Sequence, residues 1–194
     1  MPESRDSPTQ QHRTHLYNLV LSAGCYPVRQ PHLPNPDYRF VTRVRNASNR
    51  DDGEGEGKLE ELENLRPDLA VNGRLIATQC MIDVSVVHTS SPSYIANGRG
   101  GHFAKDRETS KRKRYELAAM AWGFPFVPFV LETHGGWGPA GLDFLRQLGR
   151  EFSGDEEKQI AFYVRAISAC SFALQRGNAH IQMMGTLRTS GKSS

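Results

Sequence analysis

Cysteine is scarce in this chain. Three of 194 residues are cysteines: Cys25, Cys80 and Cys170. The number is odd, the spacing is wide, and no Cys-x-x-Cys occurs. A disulfide framework and a zinc cluster are both argued against, and a reducing compartment is expected. Long hydrophobic runs are missing too. No apolar stretch approaches the roughly 20 residues needed to span a bilayer, so no membrane partner is expected. The amino terminus is polar and lacks the pattern of a secretory leader. The expected location is therefore intracellular, nuclear or cytoplasmic, and not secreted. Charge of one sign is not dominant: the formal net charge is +3 and the pI about 8.8. That mild basicity is compatible with nucleic acid without demanding it.

What is present suits one globular domain, with 38% hydrophobic and 23% charged residues. Residues 1–11 are polar and read as a disordered tail, as does the tail 189–194. A helix is expected from His12 to Ala23, ended by Gly24. Short strands are expected at 25–28 and at Tyr38–Val44, with an irregular proline-rich segment (31–36) between them. Residues 46–58, NASNRDDGEGEGK, read as a flexible acidic insertion. Leu69–Val71 and Ile76–His88 read as strands flanking an Asn72-Gly73 turn. Residues 89–104 read as a loop. A helix follows from Asp106 to Trp122. Then come a strand at Phe126–Glu132, with Pro128 marking an edge or strand end, a glycine-rich loop (135–138) and a helix at Leu142–Phe152. The last helix is expected to start at a Ser153/Glu156 capping box and stop at Gly177. The order predicts a mixed α/β domain.

Two aspartates stand out. Asp68 ends an Arg-Pro-Asp triplet, and Asp83 sits in the apolar run Met81–Val87. A carboxylate in a β-branched run is costly unless something uses it, and a bound cation is one such use. Strand alternation puts Ile82, Val84 and Val86 on one face and Asp83 and Ser85 on the other. Tyr115, Ala118, Ala119 and Trp122 form one helical stripe, and Lys111 extends it by a turn. Lys111 is thus expected to face the sheet, whereas Arg112 and Lys113 are not. Two carboxylates would hold Mg²⁺, or Mn²⁺ in its place. The metal would activate a water, and Lys111 would orient that water or stabilise developing negative charge.

A strict two-residue turn at Asn72-Gly73 would pair Asp68 near Ala77. Asp83 would then lie roughly 20 Å away at ~3.3 Å per residue. The site therefore requires a longer loop or a bulge between Val71 and Cys80, with Thr78-Gln79 as the expected place. Blander roles stand beside these. Asp68 can cap an Asx turn. Asp83 can pair structurally with Arg74 or Arg114. The basic run Arg107, Lys111, Arg112, Lys113 and Arg114 reads either as a solvated face or as phosphate contacts. His12 and His15 at a helix start read as capping or surface residues. Glu132 and His134 read as structural, with approach to DNA or the metal shell as the alternative.

Arg-Pro-Asp, fourteen residues, Asp83 within Ile-Asp-Val-Ser-Val, then Lys111 and Tyr115 on a helix: this series resembles the restriction-enzyme-like endonuclease domain of site-specific non-LTR retrotransposons. That family has the PD-(D/E)xK nuclease fold, with a helix, a three-stranded meander, a helix and a strand. The segments 129–135 and 173–179 are similar to the ends of reverse-transcriptase-like reading frames. The resemblance covers roughly residues 12–179. It implies an α/β restriction-endonuclease-like core with additional carboxyl-terminal helices, in one domain over 12–188. It implies a Mg²⁺-dependent endonuclease with Asp68, Asp83 and Lys111 catalytic and the two aspartates as metal ligands. DNA would be the partner, contacted by Arg66, Arg107, Arg112, Lys113 and Arg114. Ser85 stands where the typical fold has its lysine; in this branch the lysine often comes from the following helix, which fits Lys111, with Lys113 and Lys105 as alternatives. The implied role is to nick target DNA so that the freed 3′ end primes reverse transcription. No Tyr-x-Asp-Asp motif occurs, so a reverse transcriptase is expected on another domain or a partner chain. Two rival readings remain: a decayed nuclease fold serving as a DNA-binding or protein-interaction module, and a nuclease for RNA or branched DNA.

Overall fold

A computed structural model of the chain describes residues 8–29, 65, 67–75, 79–89 and 103–190. The expected strand at Tyr38–Val44, the proline-rich segment, the acidic insertion and Arg66 lie outside the described residues. Eight elements follow in order: α1 (Pro8–Ser22), β1 (Tyr26–Arg29), β2 (Leu69–Asn72), β3 (Cys80–Val87), α2 (Phe103–Trp122), β4 (Phe126–Glu132), α3 (Pro139–Phe152) and α4 (Glu156–Ser190). The strands form one mixed sheet in the order β1-β2-β3-β4. β1, β2 and β3 pair antiparallel in succession, and β4 runs parallel to β3. Parallel strands need a long crossover, and α2 lies within it. β4 is an edge strand, which accommodates Pro128.

Alternation divides the sheet into two apolar faces. Leu69, Val71, Ile82, Val84, Phe129 and Leu131 face α1, α3 and α4, where Leu16, Val20, Phe144, Leu145, Leu148 and Phe162 close the main core. Met81 and Phe126 on the other face pack under Tyr115, Ala118 and Ala119 of α2. Val87 and Val130 extend that second layer to Ala104. Cys25, Cys80 and Cys170 are all buried free thiols. Burial pushes the Cys170 thiol up to about 12. Among the described residues no helix is long and apolar enough to cross a membrane.

Several boundaries differ from expectation, each for a physical reason. α1 starts at Pro8, so residues 8–11 belong to a helix rather than to a tail. Proline is tolerated in a first helical turn, and glutamines carry the helix without an apolar stripe. α2 starts at Phe103, earlier than Asp106, because Glu132 accepts the Ala104 N–H at 2.9 Å. α3 starts at Pro139 rather than Leu142, since Glu108 accepts the Ala140 N–H at 3.0 Å. The loop between β4 and α3 is glycine-rich for the same reason. A side chain at Gly136 would strike the Glu132 carboxylate, and one at Gly138 the Glu108 carboxylate. α4 is capped by Asp155, whose carboxylate accepts the Lys158 N–H at 3.1 Å. Ser153 instead accepts the Asp155 N–H. α4 also runs through Gly177. Gly177 is buried, and the neighbouring Asn178 donates to the Thr133 carbonyl at 2.7 Å. Tertiary contacts there outweigh the roughly 1 kcal/mol that a helical glycine costs.

The turn after β2 decides the register. Asn72-Gly73 does not make a two-residue hairpin; Val71 pairs with Cys80, and Leu69 with Ile82. Glu151, fully buried at the end of α3, accepts the N–H groups of Arg74 at 2.7 Å and Leu75 at 2.9 Å. Arg74 adds guanidinium bonds to the Glu151 side chain and carbonyl. Gln79 donates to the Gly73 carbonyl at 3.1 Å. A buried carboxylate needs donors, and the longer loop supplies them. Strand β3 accordingly starts at Cys80 rather than Ile76, with 76–78 outside the described residues.

Candidate active site

The long loop shifts the pairing so that the register, continued one residue past Leu69, sets Asp68 opposite Asp83. The ~20 Å separation implied by a tight hairpin does not arise. Asp83 lies mid-strand on the face beneath α2, and Asp68 lies immediately before β2. Both are about 6% exposed. Asp68 Oδ2 accepts the Val84 N–H at 2.8 Å, which ties its carboxylate to the strand beside it. That bond lies across the sheet, so the Asx-turn role does not describe it.

Lys111 reaches the sheet as its stripe predicts, and its Nζ donates to Asp83 Oδ2. One turn on, the Tyr115 hydroxyl donates to Asp83 Oδ1 at 3.0 Å. The Tyr115 ring is fixed by stacking on Phe126, with centroids 4.7 Å apart and planes 7° from parallel. Both oxygens of Asp83 are therefore held from α2. Arg74 pairs with Glu151 instead of Asp83.

Arg13 is the residue that sequence reading missed. Its Nε lies 2.8 Å from Asp68 Oδ1. A signal existed: Leu16 and Val20 are buried at i and i+4, and one turn back along their stripe lies Arg13. The same extrapolation that located Lys111 would have located it. His15 of α1 is half-buried.

The electrostatics follow from burial. Desolvation raises the Asp68 carboxyl above its ordinary value, against the opposing pull of the Val84 N–H and Arg13. Burial likewise pushes Lys111 down to about 8, while Asp68 pulls it up. The Tyr115 hydroxyl is raised, again chiefly by burial. Asp68 stays raised despite these partners, and a carboxylate in that state suits a cation. The donors are hard carboxylate oxygens. Among the described residues no three His, Cys, Asp or Glu side chains gather into a ligand cluster. Mg²⁺ fits such a sparse set, because it keeps several waters and binds through one or two carboxylates.

The basic run of α2 divides. Arg107, Lys111 and Arg114 recur at i, i+4 and i+7 along one edge of the helix, and Arg107 and Arg114 are exposed. Arg112 lies on the opposite flank, where it lines a shallow groove with Met120 and Phe124. Lys113 and Lys105 are exposed, so neither alternative lysine stands in the place of Lys111. Ser85 is buried on the Asp83 face. Glu132 is committed to the Ala104 N–H, the structural role expected of it. His134 is exposed and meets His88 edge-on at 6.3 Å. Compared with protein-family models, curated proteins and solved structures, the chain matches none of them.

Proposed function

We propose that this chain is a metal-dependent DNA endonuclease with a restriction-endonuclease-like core. The observation that carries the reading is the convergence of Asp68 and Asp83 from neighbouring positions in the sheet, with Lys111 delivered to Asp83 by the next helix. The order α1, three antiparallel strands, α2 and a parallel β4 supports it. Asp68 and Asp83 would hold Mg²⁺ or Mn²⁺, which when bound supplies a water of lowered pKa and a counter-charge for phosphate. Tyr115 and the Val84 N–H orient the two carboxylates. Lys111 offers an ammonium that positions the attacking water or meets charge developing on the phosphate. Arg107 and Arg114 flank it and fit backbone contacts that position DNA without reading its sequence. By the sequence resemblance, the substrate step is nicking of target DNA for a retrotransposon-type element, with a reverse transcriptase elsewhere.

One observation favours a second reading. Each aspartate has a cationic partner, Arg13 for Asp68 and Lys111 for Asp83. Such a charge-balanced cluster also suits a decayed nuclease fold that binds DNA or protein without cutting. Nicking of supercoiled plasmid separates the two. Linear or nicked product with Mg²⁺ or Mn²⁺, absent with EDTA and absent in Asp83→Ala, is expected. Plasmid retarded on a gel yet uncut with either metal would favour the binding module.

A further inference from the structure

Bases outnumber the two aspartates they surround. Arg13 Nε lies 2.8 Å from Asp68 Oδ1, and Lys111 Nζ donates to Asp83 Oδ2. Arg107 and Arg114 stand on the same edge of α2 as Lys111 and are exposed. Their charges reach the site. Beyond burial, the groups acting on the Tyr115 hydroxyl, which donates to Asp83, are Arg114, Asp68, Arg13 and Arg107. Along α2 as a whole the excess persists: Lys105, Arg107, Lys111, Arg112, Lys113 and Arg114 accompany only Asp106 and Glu108 between 105 and 114. Glu108 is turned to α3, where it accepts the Ala140 N–H at 3.0 Å. A divalent ion placed at Asp68 and Asp83 adds to this excess. A phosphodiester offsets it, and Mg²⁺ is commonly held by one or two carboxylates together with substrate phosphates. From Arg107 to Arg114 the helix rises about 10.5 Å at 1.5 Å per residue. A duplex presents one phosphate per about 3.4 Å of axis on each strand, so the edge has room for about three in succession, the middle one beside Lys111.

Resting on the metal-dependent nuclease reading above, we propose that the DNA backbone completes the cation site. DNA binds the basic edge of α2 without metal, and its phosphate then raises the affinity of Asp68 and Asp83 for Mg²⁺ or Mn²⁺. Linkage makes the effect mutual: the cation strengthens DNA binding by the same factor. The opposite order, a cation held tightly by the protein alone, requires the two carboxylates to bind it against Arg13 and Lys111, each already paired with one of their oxygens. Without DNA the chain therefore holds its ion loosely, and the bound backbone tightens the hold.

Two binding measurements on the full-length chain test this, and neither reads cleavage. Fluorescence anisotropy of a labelled duplex in EDTA reports DNA binding without metal. Electron paramagnetic resonance of free Mn²⁺ reports cation affinity with and without that duplex, corrected for uptake by the duplex alone. The duplex is expected to bind in EDTA, more weakly as salt rises. Mn²⁺ affinity is expected to be about tenfold higher or more with duplex present. In the double variant Arg107→Ala/Arg114→Ala, duplex binding is expected to weaken, while Mn²⁺ affinity without DNA holds or rises. A duplex that binds only when metal is present overturns the proposal. So does equal Mn²⁺ affinity with and without duplex. If metal-dependent nicking accompanies either of these results, the nuclease reading stands and this inference alone fails. Mn²⁺ binding in neither condition removes both.

Discussion

Arg13 and Lys111 approach the two aspartates from helices on opposite faces of the sheet. Each brings a charge to a carboxylate that burial would otherwise leave under-neutralised. The two cations are not equivalent. Arg13 pairs with a carboxylate already fixed by the Val84 N–H, whereas Lys111 shares Asp83 with a neutral hydroxyl. Removing Lys111 therefore leaves Asp83 buried beside a neutral hydroxyl alone, which costs stability as well as chemistry. Lys111→Met is expected to slow metal-dependent nicking about 100-fold or more, as loss of one charge-stabilising donor does elsewhere. Its affinity for Mn²⁺ is expected to hold or rise, because Asp83 loses a competing cation. Single-turnover cleavage and Mn²⁺ titration of the variant check both parts; weakened metal binding with unchanged cleavage would oppose this role. Lys111 was legible in the sequence because its helix has a clear period and one buried side. Arg13 was legible by the same rule, one turn before Leu16 on the buried stripe of α1, but its pairing with Asp68 depends on how α1 docks on the sheet. Tyr115 was readable as buried on its stripe; that its hydroxyl ends on Asp83 was not, since strand register decides it.

At the scale of elements, buried glutamates set what local signals cannot. Asn72-Gly73 is a strong hairpin signal, yet the loop is long because Glu151 gathers its N–H groups onto α3. Glu151→Ala strands those donors and opens a cavity. It is expected to cost roughly 3 kcal/mol and to reduce nicking by loosening the register that aligns Asp68 with Asp83; urea unfolding alongside the plasmid assay measures both. Glu108 makes a second such contact, accepting the Ala140 and Gly141 N–H groups at the start of α3. Burial raises its carboxyl above the ordinary 4.5, so the folded chain holds this proton more tightly than the unfolded one. The associated stability is complete below about pH 4.5 and is lost as pH rises through the raised value. Glu108→Gln keeps an acceptor without the charge. Its stability is expected to vary less with pH over that window, and thermal melts at several pH values check this; a wild-type slope in the variant would contradict it. Periodicity and alternation placed β1, β2, α2 and β4 within a few residues. They missed the starts of α2 and α3 because caps supplied by Glu132 and Glu108 come from distant positions. They missed the full reach of α4 because a buried glycine looks locally like a stop.

For the whole molecule, the architecture places a polar cluster between two apolar layers. The sheet carries the aspartates, α2 covers one face and α1 the other, and each helix contributes one cation at the end of an otherwise buried stripe. Such a cluster carries a cost, since well-packed apolar residues often replace buried ion pairs without loss of stability. Cation binding is the use we propose for it, with hard carboxylate oxygens as the donors. Isothermal titration of the full chain with Mn²⁺, repeated on Asp68→Asn and Asp83→Asn, tests that claim most directly. The account predicts saturable binding to the wild type that each substitution weakens by tenfold or more while the fold is retained. Binding that is absent in the wild type, or unchanged in both variants, would contradict it.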